Sequence, residues 1–283
     1  MSLKLSTSSS SKRKGEIFLL YTFSALVALV LSALIVEAVG ANWSDVWNAL
    51  LDGSFRKPGR WGRTLGSAVP MAMVAVGTII STKVGLINIG QEGQMLVGAA
   101  FAAYIGAHVP GPGPLVIFIV IISGFVGGAF WSGLAGALRY WRNVPEVLTT
   151  LLLVTVAANF IGYGLKNTWL LLDPDAAVGN RTQVSQQLDP DSRLPRIDIF
   201  GNNFSISVII SLLLIALTFW LLSQTIVGFR LDVVGQNQKV GRRFGISEVR
   251  QGFAAMCASG GFAGLAGALM LASGDFAKFR LVP

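Results

Sequence analysis

Long apolar runs recur along this chain, and they constrain its fold more than any other feature. Residues 17–36 form one of several runs that approach or exceed the roughly 18 apolar residues that suggest a membrane-spanning helix. Of the 283 residues, 53% are hydrophobic and only 13% are charged, whereas soluble domains carry about 25% charged residues. The mean hydropathy is +0.63. We therefore predict an all-α fold, a polytopic helical membrane protein.

Charged residues and Pro/Gly turns divide the apolar runs into about seven predicted transmembrane spans. Lys83 ends the second span, and a Pro/Gly turn at residues 108–114 ends the third, which glycines break near its start. A cleaved signal peptide is the alternative for the first run, which is longer than the usual signal core of about 7–15 residues. The predicted spans cover residues 17–36, 64–81, 87–105, 115–138, 146–172, 204–222 and 252–272.

The polar segments between the spans predict how the chain is organised. We expect residues 1–15 to be a disordered cytoplasmic tail and residues 16–283 to be one transmembrane domain. Basic residues favour the cytoplasmic side, which places the basic segment 227–250 inside and the segment 173–203 in an extracytoplasmic loop. Four cations within residues 56–63 would lie outside and do not fit this rule.

The charge balance and the missing motifs exclude several functions. A net charge of +8 can indicate nucleic acid binding, but here the basic residues lie in short loops between apolar runs, where anionic lipid explains them. His108 is the only histidine and Cys257 the only cysteine. The sequence therefore has no His/Cys cluster spaced to bind a metal ion, and an intrachain disulfide is impossible. Neither a phosphate-binding loop nor a nucleophile elbow is present. We expect no enzyme, no metal and no nucleic acid partner.

A polar cluster stands at the head of the third span, in residues 85–98. A charged side chain at membrane depth is costly and usually faces a protein interior or a solute path, and glycines interrupt helices where transporters bind solute. Positions 88, 91 and 92 share a helical face, as do 91 and 94. Hydrogen bonding that only joins helices is the alternative. The predicted substrate-path residues are Asn88, Gln91, Glu92, Gln94 and Asn159.

Two further segments carry a pattern. Gly235 and Gly245 bracket a predicted short helix with an apolar stripe, Val240 and Phe244, among basic residues. Such a helix can sit in a groove of a partner protein, while a solvated basic loop is the alternative. Residues 258–268 repeat small side chains every three or four positions, which predicts close packing between helices.

Several motifs resemble those of the permease subunits of bacterial ABC importers. The stretch at residues 85–95, GLINIGQEGQM, is similar to the signature G-L-F-N-I-G-x-E-G-Q of that family. Residues 143–150 resemble its N-E-V-x-x-T helix start, residues 228–246 its cytoplasmic coupling segment, and residues 258–268 its S-G-x-x-A-G-L-A-G helix. The match is closest to the simple-sugar and nucleoside branch of the ribose and branched-chain amino acid permease superfamily.

The resemblance implies a multi-pass permease in a bacterial cell membrane with its N-terminus in the cytoplasm. ABC ATPase subunits would bind ATP and Mg²⁺, a second permease subunit would complete the path, and a substrate-binding lipoprotein would deliver the solute; this chain would bind no cofactor. Relatives usually continue beyond the helix at residues 258–268, so we expect C-terminal spans to be missing here. The implied ATPase-coupling residues are Gly235, Asn237, Lys239, Gly241, Arg242, Arg243, Phe244 and Gly245.

The expected function is ATP-driven import of nucleosides or simple sugars. Two other classes stay open on the sequence: a secondary transporter or channel for small polar solutes, and a membrane scaffold that transports nothing. The coupling segment departs from the family at residues 238–242, where small residues are common in relatives.

Overall fold

The computed structural model describes residues 8–174, 184–199 and 201–273, with side chains from Glu16 onwards. Ten named α-helices and one two-stranded antiparallel hairpin account for most of these described residues. A π-helical turn covers Asp52–Arg56, and a 3-10 turn covers Pro190–Ser192. The helices are α1 (Ser8–Ala38), α2 (Trp43–Leu51), α3 (Arg60–Lys83), α4 (Gln91–His108), α5 (Gly113–Arg142), α6 (Glu146–Gly164), α7 (Ile206–Gln224), α8 (Ile226–Gln236), α9 (Gln238–Arg243) and α10 (Glu248–Ala272), and the strands are β1 (Arg196–Ile199) and β2 (Asn202–Ser205).

Six of the described helices are long and apolar enough to cross a membrane, judged by length and composition. They are α1 from Glu16, α3, α5, α6, α7 and α10. The predicted polytopic helical fold is thereby confirmed. Helix α4 occupies the predicted third span and has 18 residues, but it is not among the six, because Gln91, Glu92 and Gln94 make its first turn polar.

Contacts along the chain divide it into two units, Met1–Arg60 and Trp61–Pro283. In the first unit, α1 begins at Ser8, so the described part of the predicted disordered tail continues the helix. Extending an existing helix costs far less than starting one, which explains why the polar residues before the apolar run are helical. Residues 1–7 of that tail lie outside the described part of the chain.

The core of the second unit is a close contact of α4, α5 and α10. Small residues make this contact possible: a Cβ atom on Gly264 would lie 2.8 Å from Gly128 Cα and closer still to the Gly124 carbonyl oxygen. On the other side of α10, Gly98 of α4 is in backbone contact with Gly264. The prediction that residues 258–268 pack between helices is confirmed. Because glycine lets the backbones touch, α10 is buried along most of its length.

The two ends of the second unit differ in charge and structure. Helices α3, α5 and α7 end, and α4, α6 and α10 begin, at one end, which also carries α8 and α9; we call it the basic end. Contacts at that end include the ion pairs Lys83–Asp232 and Arg139–Glu146. At the opposite end, the Leu194 amide donates to the Ala272 carbonyl at 2.8 Å, which joins the β-hairpin segment to the end of α10.

The structure differs from the prediction at the end of the fifth span and within the loop that follows it. The predicted fifth span ends early, at Gly164, because residues 165–172 form turns in which the amides of Leu171 and Leu172 donate to the Asn167 carbonyl. The predicted loop 173–203 contains the 3-10 turn and the start of the hairpin, and residues 175–183 and 200 of it lie outside the described residues.

The interpretation of Gly235 as a helix boundary was wrong. Gly235 lies inside α8, and the break comes at Asn237, whose backbone is extended (φ −156°, ψ 102°). Its side chain caps α9, a role for which Asn is well suited. The short helix predicted before Gly245 is present as α9, and a second helix, α8, precedes it in the basic segment.

Candidate functional site

A buried cluster of amide side chains occupies the head of α4. Asn88 donates through Nδ2 to Gln94 Oε1 and to Ser259 Oγ, both at 2.9 Å, and Gln94 Nε2 donates back to Asn88 Oδ1 at 2.9 Å. Gln91 Nε2 reaches Ser259 Oγ at 3.3 Å. All four residues are buried. We call Asn88, Gln91, Gln94 and Ser259 the amide cluster.

The chain enters this cluster without helical structure. Helix α3 ends at Lys83, Gly85 takes a left-handed conformation (φ +78°), and α4 begins only at Gln91. The predicted helical face shared by positions 88, 91 and 92 is therefore wrong for Asn88, because that residue precedes the helix. It lies instead in the turn before α4, where its Oδ1 accepts from the Gly90 amide at 3.1 Å.

Close packing fixes the start of α4. Gly90 touches the backbone of Thr150 in α6, where a Cβ atom would lie 2.5 Å from the carbonyl oxygen. Gly93, one turn further on, packs against the backbone of Val154: a Cβ atom built on Gly93 would lie 2.9 Å from Val154 Cα. These glycines let α4 and α6 approach closely, so the amide cluster is held between α6 on one side and α10 on the other.

The amide cluster is closed in this structure. Among the described residues, no buried side-chain nitrogen or oxygen lacks a hydrogen-bond partner. Asn88 and Gln94 bond to each other, and Asn88 and Gln91 both contact Ser259 of α10, which is the geometry that joins helices. That solute passes near Asn88, Gln91 and Gln94 stays a prediction.

Glu92 and Asn159 lie apart from the amide cluster. Both are exposed in the isolated chain. Glu92 belongs to the first turn of α4, where a carboxylate interacts favourably with the helix dipole. Asn159 Nδ2 donates to the Thr155 carbonyl of its own helix at 2.8 Å, so it makes no link to α4. The structure does not bring these two predicted path residues together with the other three.

Sequence reasoning missed two members of this region. Ser259 accepts from Asn88 and lies 3.3 Å from the Gln91 amide, and Thr78 Oγ1 lies 3.1 Å from the same amide. One signal was present: Ser259 is the only polar residue within positions 258–268, a run interpreted as packing alone. Thr78 lies in an apolar span with nothing to mark it.

The second candidate site is the segment of residues 235–247 at the basic end, which we call the docking segment. Asn237 Oδ1 accepts from the amides of Lys239 at 3.0 Å and Val240 at 3.2 Å, which starts α9. Val240 and Phe244, the predicted stripe, point away from the protein, with 39% and 77% of their surface exposed. An exposed Phe on a short polar helix is unusual for a segment that only sets topology.

Two glycines give the docking segment its shape. Gly241 is buried. A Cβ atom built on it would lie 3.5 Å from the Val234 side chain, so α9 packs closely on α8 at this position. Gly245 has φ +72°, a left-handed conformation that turns the chain from Phe244 towards α10. Of the predicted coupling residues, Gly241 is buried. The exposed ones are Gly235, Asn237, Lys239, Arg242, Arg243, Phe244 and Gly245.

A groove lies beside the docking segment, between the first turn of α8 and the start of α10. Its volume is about 410 Å³, and its walls include Ile226, Phe229 and Phe244 with the arginines Arg230 and Arg250. Both aromatic side chains are mostly exposed. The groove therefore combines apolar surface with positive charge on the side that Phe244 faces.

Charge is unbalanced at the basic end. Of four acidic residues there, Glu92 has no ion-pair partner among the described residues, and three are paired within the chain: Glu146 with Arg139 at 3.2 Å, Asp232 with Lys83 at 2.7 Å, and Glu248 with Arg242 at 2.8 Å. Five cations have no acidic partner among the described residues, and four of them surround the docking segment and its groove. These five are Arg142, Arg230, Lys239, Arg243 and Arg250.

Comparison with known proteins identifies related sequences. Residues 62–282 match the model of the family described as branched-chain amino acid transport system, permease component. The guanosine ABC transporter permease protein NupP of Bacillus subtilis is 28% identical over 251 residues, which cover 86% of this chain and 69% of the relative. The nucleoside ABC transporter permease protein NupB of Lactococcus lactis is 29% identical over 258 residues, with 86% and 68% covered.

A sugar permease is also similar. The glucose ABC transporter permease protein of Haloferax volcanii is 25% identical over 265 residues, which cover 91% of this chain and 68% of that protein. No solved structure matches the chain.

Proposed function

Since the chain belongs to the family of branched-chain amino acid transport system permease components, we propose that it imports nucleosides or simple sugars. The resemblance found in the motifs is thereby confirmed, and the chain is a membrane-embedded permease subunit of an ABC transporter. The cargo is proposed from its relatives, whose names specify guanosine, nucleosides and glucose.

ATP hydrolysis takes place on separate ATPase subunits, which bind the docking segment. One observation carries this proposal: Val240 on α9 and Phe244 just after it are exposed, and four of the five cations around them have no acidic partner among the described residues, Arg242 being paired with Glu248. Burying an exposed Phe stabilises a complex by about 1.5–3 kcal/mol before the costs of association. Uncompensated cations favour a partner with acidic side chains.

The basic end faces the cytoplasm. Its excess of Lys and Arg supports this orientation under the positive-inside rule, and alternation through the spans then gives a cytoplasmic N-terminus. The tail 1–15 and the coupling segment 227–250 would lie inside, and the loop 173–203 outside, where a substrate-binding lipoprotein delivers the solute. A second permease subunit would complete the path. Relatives with paired names, the guanosine permeases NupP and NupQ, support such a pair.

Solute passes the head of α4 near Asn88, Gln91, Glu92, Gln94 and Asn159. Glu92 is the residue that supports this path best: it is exposed at the start of an otherwise apolar helix, where a carboxylate without water, solute or a partner would be costly. The amide cluster would hold that helix start in place behind it. A scaffold that transports nothing predicts unchanged uptake in Glu92→Gln and Asn88→Ala cells.

The test of ATPase docking is co-purification of an ABC ATPase subunit with this protein from the cells in which both are made. Phe244→Ala should lower the recovered ATPase about tenfold, because it removes the most exposed apolar group of the docking segment. Trp141→Ala is the matched control, since Trp141 is a similarly exposed aromatic residue at the same end but outside that segment. Equal recovery with both variants would contradict the assignment.

A further inference from the structure

Lys83 and Asp232 form an ion pair between the end of α3 and the middle of α8. Lys83 Nζ lies 2.7 Å from each oxygen of the Asp232 carboxylate, and the two side chains are 28% and 40% exposed. The residues are 149 positions apart in sequence, so the pair fixes a tertiary contact. It connects the span that precedes the amide cluster to the helix that precedes the docking segment.

A backbone contact accompanies this ion pair. Gly235, one turn beyond Asp232, packs on the Lys83 carbonyl, and a Cβ atom there would lie 3.2 Å from Val84 Cα. Gly85 faces the Gly235 carbonyl oxygen, which would lie 3.8 Å from a Cβ atom built on Gly85. Because no side chain separates the two backbones, a shift of α8 must be transmitted to the last turn of α3.

Contacts on each side extend the link. Towards the docking segment, Val234 packs on Gly241, so α8 and α9 are in direct contact. Towards the amide cluster, only five chain positions separate Lys83 from Asn88, and Val84 and Leu86 between them are buried. The Leu86 amide donates to the Ser81 carbonyl at 3.0 Å, which holds the intervening turn together.

We propose that Lys83 and Asp232 are positioning residues that couple the docking segment to the start of α4. Movement of α9 by a bound ATPase is passed through α8 and the ion pair to residues 84–90, and so to the amide cluster. This inference rests on the proposed function, because it assigns a path for the energy that an ATPase supplies.

The Lys83–Asp232 ion pair contributes little to the stability of the fold. An ion pair this exposed changes a folding equilibrium by at most a factor of about five, and buried apolar residues, including Val84, Leu86, Leu231 and Val234, already hold the same elements together. The pair nevertheless tethers the end of α3 to α8, since the two elements cannot move apart without breaking the 2.7 Å contacts of Lys83 Nζ with the Asp232 carboxylate.

Lys83→Met and Asp232→Asn test the proposal in the transporter reconstituted with its ATPase and binding protein. The matched control is the second inter-helix ion pair of the basic end, Arg139–Glu146, as Arg139→Met and Glu146→Gln. With side chains 38% and 13% exposed, it is the more buried pair on average, so a purely structural role predicts at least as much damage from the controls.

The measured quantity is solute taken up per ATP hydrolysed. We expect Lys83→Met and Asp232→Asn to retain the ATPase subunit. Each should lower this ratio about threefold or more, which corresponds to the free energy of one exposed ion pair. The exchange of both charges, Lys83→Asp with Asp232→Lys, should recover part of it, and the controls should keep the wild-type ratio.

A wild-type ratio in both single variants would overturn the proposal, as would an equal loss in the controls or a double variant no better than the single ones. Absence of ATPase from the wild-type protein would instead overturn the proposed function itself. The two failures are therefore distinguished by the wild-type sample alone.

Discussion

Asn88→Ala is the substitution whose effect follows most directly from the amide cluster. The side chain donates to Gln94 and Ser259 and accepts from Gln94 and from the Gly90 amide. Alanine removes all of these bonds. Ser259 stays within 3.3 Å of the Gln91 amide, but Gln94, which is only 1% exposed, makes its side-chain hydrogen bonds with Asn88.

The structure sets the size of the effect. A buried donor or acceptor left without a partner costs about 1–3 kcal/mol, and Gln94 has one of each, so we expect a loss of about 2–6 kcal/mol in unfolding free energy. Gln94→Leu on its own should be less destabilising, because Asn88 keeps its bonds to Ser259 Oγ and to the Gly90 amide. The double variant should be less harmful than the sum by about 1–3 kcal/mol, because neither amide is then orphaned.

The assay is unfolding of the purified protein in detergent, followed by circular dichroism as denaturant is added. Asn159→Ala is the control, since Asn159 is exposed and bonds only within its own helix; it should change stability by less than about 0.5 kcal/mol. An Asn88→Ala protein as stable as this control would refute the reasoning. So would strict additivity of the Asn88 and Gln94 substitutions.

Gly264→Val should destabilise the protein by about 3 kcal/mol or more, since the new atoms meet the Gly128 backbone, which cannot rotate away. Gly133→Ala is its control in thermal melts, because a Cβ there meets only side-chain atoms, Cys257 Sγ at 3.2 Å and Phe253 Cζ at 3.8 Å. Gly245→Ala should cost about 1 kcal/mol through its left-handed backbone and weaken ATPase co-purification without abolishing folding. Raising salt from about 0.05 to 0.5 M should lower ATPase affinity several-fold, and salt-independent binding would contradict a charged interface.

Hydropathy was sufficient to predict the class of fold and most spans, because a bilayer demands long apolar helices whatever the tertiary contacts. It failed where a boundary depends on local turns. Residues 165–172 are apolar enough to extend the fifth span, yet Asn167 accepts three backbone hydrogen bonds and ends the helix region. Asn237 similarly divides a segment in which glycine spacing had suggested one helix.

The polar head of α4 was visible in the sequence, but its partners were not. Ser259 is 171 positions from Asn88, and only the close contact of α4 with α10 brings it within 2.9 Å. Spacing arguments also assumed that Asn88 belonged to the helix, whereas the chain is non-helical until Gln91. The outward direction of Phe244 needed the structure too, because an apolar stripe alone does not say which side is covered.

ATP-driven uptake by reconstituted proteoliposomes tests the central claim most directly. Vesicles containing this permease, its ATPase and its second permease subunit receive labelled guanosine or glucose with the binding protein outside. The account predicts uptake that requires both ATP on the ATPase side and the ATPase subunit. Equal uptake from vesicles that lack the ATPase would contradict it and would identify a secondary transporter or channel.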